Sequence, residues 1–245
     1  MSVYLLFDTE TTGNDDNDRI IQVGGMFVHS KDRIEVVEEL CSTEVPIRIE
    51  AMEVHNITPE MIADKPPYAQ TRFAKMLETY NDPQNFLIAH NIGFDLGMLE
   101  KEGFQNRYTL IDTVRCARHL LPELPAHRLQ YLRYALELYK IEAQEAAKLG
   151  IEIKAHDAIG DVLILKLLLS KLVEITKERF SGVNPITKLV ELTRTPVLIK
   201  TFKFGKYKDK EIEEVARTDM SYLQWMYNNL SLDEDLKYTL DQYLQ

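Results

Sequence analysis

Val3 to Phe7 is an unbroken apolar run that ends abruptly at Asp8 and Glu10. A run this short, bounded by polar residues, predicts a buried strand. Arg19 to Val28 and Arg33 to Cys41 predict two more strands, and the turn around His29 to Asp32 implies antiparallel pairing. The period then changes. Thr58-Pro59 has the form of a cap followed by a proline in the first helical turn. Phe73, Met76, Leu77 and Tyr80 fall at helical spacing after Pro66-Pro67. Phe86 to Ala89 and Thr109 to Ile111 predict short strands. Each precedes a helical stretch, one over Gly93 to Lys101 with Gly103 as its C-cap, the other stopping before Pro122. Leu129, Leu132, Leu136 and Tyr139 form one face of a further helix, and Ala158 to Lys177 is the longest. Antiparallel strands followed by alternating strands and helices predict an α/β fold, a mixed sheet flanked by helices.

Ser181-Gly182, Asn184-Pro185 and Thr195-Pro196 are breakers. They predict a main domain over residues 1–180, a linker over 181–196 and a small α+β module over 197–245. Within the module, Lys200 to Lys210 holds five lysines and one acid interleaved with Phe202, Phe204 and Tyr207. Such a run either tracks a nucleic-acid strand by charge and stacking or forms a hairpin with Phe202 and Phe204 on a small core; their alternation favours the hairpin. Two short helices are expected after it. The last has a capping box of Ser231 and Glu234, with Leu236, Leu240 and Leu244 on one face.

Composition narrows the function classes. At 245 residues, 45% hydrophobic and 28% charged, the chain can build a sizeable core. Cys41 and Cys116 form no CxxC pair, which argues against a disulfide scaffold or zinc ribbon, and Cys116 reads as a buried small hydrophobe. No basic region precedes Val3, and Ala158 to Ile175 is broken by Asp161, Lys166, Lys171 and Glu174. These features predict neither a signal peptide nor a membrane span, and hence a cytoplasmic location. The net charge of −10 opposes a broad nucleic-acid footprint. Carboxylates that bind divalent cations, however, are not negative once loaded.

Asp8 and Glu10 are two residues apart at a strand end, so their side chains share a face. Either they are two solvated acids, or they share a partly buried site where a hard divalent cation relieves their repulsion. An EF-hand is excluded, because the glutamate required at the twelfth loop position falls on Arg19. Asp95 follows the strand Phe86 to Ala89 and opens a helix, either as a ligand at a strand end or as an acid favoured by the helix dipole. Asp161 sits among leucine, isoleucine and valine, where a charge needs a partner. His156, just before that helix and beside Asp157 as its possible cap, reads by itself as a surface residue.

Taken together, FDTETTG, AHNIGFD and HDAIGD resemble, in order and separation, the three exonuclease motifs of the DEDDh branch of the DnaQ-like family. Shorter matches lie at Arg19 to Gly24, Val54 to Thr58 and Ile111 to Thr113, and the resemblance covers Val3 to Leu172. Phe204 to Lys208 and Tyr222 to Met226 resemble the small C-terminal module of exonuclease X relatives. The resemblance implies an RNase H-like five-stranded sheet and 3′-to-5′ hydrolysis of DNA with two Mg²⁺ or Mn²⁺ ions held by Asp8, Glu10, Asp95 and Asp161. It implies His156 as general base, and Thr11, Thr12, His55, Asn91 and Phe94 around the terminal nucleotide. DNA with single-stranded or frayed 3′ ends is the implied partner; RNA trimming, or tethering to a polymerase or repair complex, stands as the alternative, and no membrane is involved.

Overall fold

Strand β1 (Tyr4–Thr11) is the centre of a mixed sheet of five strands among the described residues, in the order β3-β2-β1-β4-β5. The computed structural model describes residues 2–151 and 158–244. Strand β2 (Ile20–Ser30) runs antiparallel to β1, and β3 (Arg33–Leu40) antiparallel to β2. The short strands β4 (Phe86–Ala89) and β5 (Thr109–Asp112) continue the sheet in parallel on the other side of β1.

Both faces of β1 are covered, which is why it reads as a continuous apolar run. Leu5 and Phe7 pack with helices α3 (Arg72–Thr79) and α4 (Ile92–Lys101), whereas Leu6 packs with α5 (Thr113–Leu120) and α8 (Ala158–Arg179). By the two-residue alternation of a strand, Asp8 and Glu10 share the Leu6 face, toward α8, and Thr9 shares the face of Phe7. Two short helices, α1 (Ile49–His55) and α2 (Pro59–Ile62), fill the β3-to-α3 connection.

Gly24 is the closest point of this packing. It pairs with Asp8 across β1 and β2, and a Cβ built there would stand 2.6 Å from the Ala158 carbonyl carbon and 2.7 Å from the Ile159 nitrogen. The first turn of α8 therefore sits directly on the strand opposite Asp8, with no room for any side chain between them. At the far side of the site α4 ends in a Schellman motif: Gly103, at φ 92°, donates to Glu100 O, and Phe104 N donates to Leu99 O.

Several expectations need correction. The single helix expected from Leu129 to Tyr139 is two, α6 (Leu129–Ala135) and α7 (Tyr139–Leu149). Between them Glu137 adopts a left-handed φ of 56°, and a periodic apolar face does not reveal such a break. The expected linker over 181–196 holds helix α9 (Pro185–Arg194), whose Leu189 and Leu192 are buried in the α5/α8 core. The chain accordingly divides into units Met1–Thr193 and Arg194–Gln245. Asn184-Pro185 is thus the start of a helix: Asn184 Oδ1 accepts from the backbone of Ile186 and Thr187. Among the described residues no helix is long and apolar enough to cross a membrane.

Among its described residues the second unit is helical, with a single bridge between Thr201 and Glu211 where a β component was expected. Among the described residues three helices follow instead of two: α10 (Ile212–Thr218), α11 (Met220–Asn229) and α12 (Glu234–Leu244). Phe202 is buried in their core, but Phe204 is exposed, so the expected pair of core phenylalanines is one. The cap of α12 is Asp233, not Ser231: its carboxylate accepts from Leu236 N at 2.7 Å.

Candidate active site

Parallel pairing of β1 with β4 ends at Leu6 and Ile88, so β1 runs on past its neighbour and its next backbone donor needs another partner. Asp95 supplies it. Its Oδ1 accepts from Thr9 N at 3.1 Å and from Thr9 Oγ1 at 2.8 Å. The turn that delivers Asp95 is held in place by Asp112, at the start of α5. One carboxylate oxygen of Asp112 accepts from Asn91 N and Val114 N, while Asn91 takes a left-handed φ of 74°. Asp112 and Thr9 were overlooked as site residues by the sequence reasoning, although Ile111-Asp112-Thr113 stood out as a motif. Their part lies in long-range hydrogen bonds that no spacing announces.

Asp8 is the electrostatic focus. Burial pushes its carboxyl well above the usual range, and the negative charges of Asp95, Glu10 and Asp161 push it further. Asp95 is raised to about 7 by burial, against the opposing Thr9 hydrogen bonds. Three segments far apart in sequence thus bring Glu10, Asp95 and Asp161 within electrostatic reach of Asp8. Asp161, in the first turn of α8, accepts a 2.7 Å hydrogen bond from Gln130 Nε2. Gln130 Oε1 in turn accepts from Arg133, which is paired with Glu142. Gln130 was not anticipated either, because α6 gave only an apolar face. Among the described residues no three carboxylate, imidazole or thiol groups are gathered around one point; Asp95 is turned to Thr9 and Asp161 to Gln130. His156 lies outside the described residues.

The residues expected around a terminal nucleotide divide into two kinds. Phe94 is 38% exposed and Asn91 is exposed, both at the start of α4 beside Asp95. Thr11, Thr12 and His55 are buried and committed to internal partners. Thr11 Oγ1 donates to Gly13 O. Thr12 Oγ1 donates to Asp18 and accepts from Arg19 N. His55 Nδ1 accepts from Ile57 N, which leaves Nε2–H to donate to Thr11 O at 3.2 Å. Burial lowers the pKa of this imidazole, so it stays neutral as a clasp between α1 and the end of β1. In the acidic loop after Gly13, residues 14–17 are exposed, whereas Asp18 is buried, accepts from Asp15 N and faces Arg48.

Residues 5–169 match the exonuclease family described by its model, RNase_T. The chain belongs to this exonuclease family. Residues 202–231 of the exonuclease also match the exodeoxyribonuclease X-like C-terminal family. It is 29% identical to Exodeoxyribonuclease 10 of Escherichia coli (strain K12) over 98% of both chains. It is 30% identical to the PolC-type DNA polymerase III of Bacillus cereus over 70% of this chain but only 11% of the polymerase. Among solved structures, Exonuclease X in complex with 5′ overhanging duplex DNA superposes with a TM-score of 0.55 at 22% identity, over 78% of this chain and 99% of that one. Exonuclease I of E. coli with a dT13 oligonucleotide gives 0.54 at 23% identity, over 73% of this chain and 42% of that one. These likenesses establish the RNase H-like fold of the mixed sheet.

Proposed function

We propose that this exonuclease removes nucleoside 5′-monophosphates from single-stranded or frayed 3′ ends of DNA, in the 3′-to-5′ direction, and depends on divalent cations. The electrostatic influence of Asp95, Glu10 and Asp161 on the buried Asp8 carries the reading. Four carboxylates, of which Asp8 has its proton affinity raised by the other three, offer hard oxygen donors of the kind Mg²⁺ and Mn²⁺ take. Two such ions held by these four residues would lower the pKa of a bound water and offset charge on the phosphodiester and the leaving 3′ oxygen.

The chain's own groups do the remainder. His156, two residues before α8, takes the proton of the attacking water, a role suited to an imidazole that titrates near neutrality. Asp112 and Thr9 hold Asp95 in place through the bonds described above. Phe94 offers an exposed ring for the terminal base, and Asn91 a polar group beside it. Thr12 and His55 act through the β1 end they brace, and Thr11 through the carbonyl that His55 holds. The polymerase relatives favour a place in DNA repair or replication.

The test is digestion of 5′-end-labelled single-stranded DNA with Mg²⁺, beside matched RNA and an Asp8→Ala/Glu10→Ala control. A descending ladder on DNA, lost in the control and in EDTA, is the expected result. A substrate left intact with Mg²⁺ and with Mn²⁺ would remove the reading, and faster trimming of RNA would reassign the substrate. His156→Ala is expected to keep cation binding and lose about 10²–10⁴-fold in rate, measured as single-turnover cleavage; an unchanged rate would take His156 out of the mechanism. Gln130→Leu removes the neutral donor that orients Asp161, and Mn²⁺ affinity is expected to fall about tenfold or more. Titration calorimetry checks this, and an unaltered Mn²⁺ isotherm would make Gln130 a bystander.

A further inference from the structure

The second unit carries a surface that the catalytic reading does not use. Trp225, the single tryptophan of the chain, is 51% exposed, and Phe204 is 49% exposed. A solvent-facing ring beside a run of cations offers a face on which a base can stack. Their setting is ordered. Tyr222 is clamped edge-on by Phe202 and Tyr207, with ring centroids at 5.9 and 5.0 Å. Its face is stacked under Trp225 at 5.9 Å and 24°. The lysine-rich turn closes on the same ring. Gly205, at φ 78°, lies so close to the Tyr222 hydroxyl that a Cβ would collide with it, and Lys206 N donates to that hydroxyl at 3.2 Å. Lys206 Nζ lies 4.6 Å from the Tyr207 ring centroid and 5.9 Å from that of Tyr222, and is anchored by Asp219 at 2.9 Å.

Around this stack Lys200, Lys203, Lys206, Lys208 and Lys210 are all exposed. In a chain of net charge −10, this stretch gathers cations beside solvent-facing rings. The nearby acids are Asp219, spent on Lys206, Tyr207 and Ser221, the single Asp209 within the run, and Glu211, Glu213 and Glu214 at the start of α10. Cations that follow a backbone, combined with aromatic faces that accept any base, are the two requirements for holding an unpaired strand without reading its sequence. A protein partner would have to match the rings while also countering a dense set of lysines.

We propose that the surface formed by Lys203, Lys206, Lys208, Tyr222 and Trp225 binds single-stranded DNA, with a base stacked on Trp225 and the flanking phosphates on the lysines. It is a second nucleic-acid site on the chain, separate in sequence from the carboxylate cluster. It rests on the exonuclease reading only for the choice of DNA as the strand.

The test uses the full chain in EDTA, where no hydrolysis occurs, so it reports even if the exonuclease reading fails. Trp225 is its own reporter: addition of dT20 is expected to quench its emission. Trp225→Ala is expected to weaken binding of labelled dT20 about 5- to 100-fold in fluorescence anisotropy. The exposed pair Lys203→Gln/Lys208→Gln, which leaves the buried core untouched, is expected to weaken binding, reduce the quench and lower the slope of log affinity against log salt by about 1.4. Turnover of a trinucleotide, too short to span a second site, is expected to be the same in all three proteins. Unquenched emission together with equal affinities in all three proteins would overturn the proposal.

Discussion

Asp8→Asn is expected to abolish cleavage and, in the absence of divalent cations, to raise the melting temperature. The first effect follows from losing a carboxylate proposed to hold the cations. A fall of about 10³-fold or more corresponds to about 4 kcal/mol of barrier, within what metal catalysis supplies. The second effect follows from electrostatics. The carboxylate of Asp8 is disfavoured by burial and by the charges of Asp95, Glu10 and Asp161. An amide of the same shape removes that repulsion. The gain is several degrees if it reaches one or two kcal/mol, at about 2–4 °C per kcal/mol for a chain of this size.

The same shifts fix a pH dependence. Asp8 and Asp95 have folded-state pKa values above the ordinary 3.8, Asp95 reaching about 7. Between about pH 4 and 7 the folded protein therefore holds protons that the unfolded chain has released, and the contribution of these groups to cation-free stability falls as pH rises through that window. On the proposed function, bound divalent cations would take over from the protons. The rise in melting temperature on adding Mg²⁺ or Mn²⁺ is thus expected to be small near pH 5 and largest above about pH 7, with about 2.7 kcal/mol available at a hundredfold excess over Kd. Melting curves with cation and with EDTA across this range check it. Because the comparison is a difference, acids whose pKa values are lowered elsewhere, such as Asp18 and Glu145, cancel. A variant that melts below the wild type in EDTA, or a cation effect that is flat with pH, would show that Asp8 is not under repulsion.

The second large effect is expected at Gly24. Valine suits a strand, so Gly24→Val carries no backbone penalty of its own. Its Cβ, however, meets backbone atoms of Ala158 and Ile159 at 2.6–2.9 Å, and backbone cannot swing aside as a side chain tip can. The start of α8 must move away from the sheet. Overpacking of this kind costs about 1–3 kcal/mol, occasionally more. The displaced turn carries Asp161, and a shift of about 1 Å in a catalytic group can cost about 10²-fold in rate. Expected, then, are a lower melting temperature and at least a hundredfold loss of cleavage. Gly97→Ala is the control: it lies inside α4 with nothing within 4 Å of an added Cβ, and is expected to gain about 0.5–1 kcal/mol. Full activity in Gly24→Val would mean that α8 reaches the site with slack.

The sequence by itself determined the strands, most helices and the family. Apolar periods show which residues are buried: Val3 to Phe7 reads as a buried strand because local pattern and burial agree. The two-residue spacing of Asp8 and Glu10 puts them on one face wherever that strand lies. Three ordered motifs were enough to indicate the family. The places where the reading failed are those where a local pattern has more than one continuation. The face from Leu129 to Tyr139 continues through a break at Glu137, because a left-handed residue leaves apolar spacing nearly unchanged. Asn184-Pro185 reads equally as linker or helix start, and burial of Leu189 and Leu192 against α5 and α8 decided for the helix. Phe202 and Phe204 alternate identically in sequence, yet only Phe202 meets a core.

The tertiary structure alone decided how the acids are held. Thr9 and Asp95 are 86 residues apart, and Gln130 and Asp161 are 31 apart. Which polar groups meet over such distances depends on where β4 stops pairing with β1 and how closely α8 approaches Gly24. Those are consequences of register and packing across the whole sheet, and no window of sequence contains them.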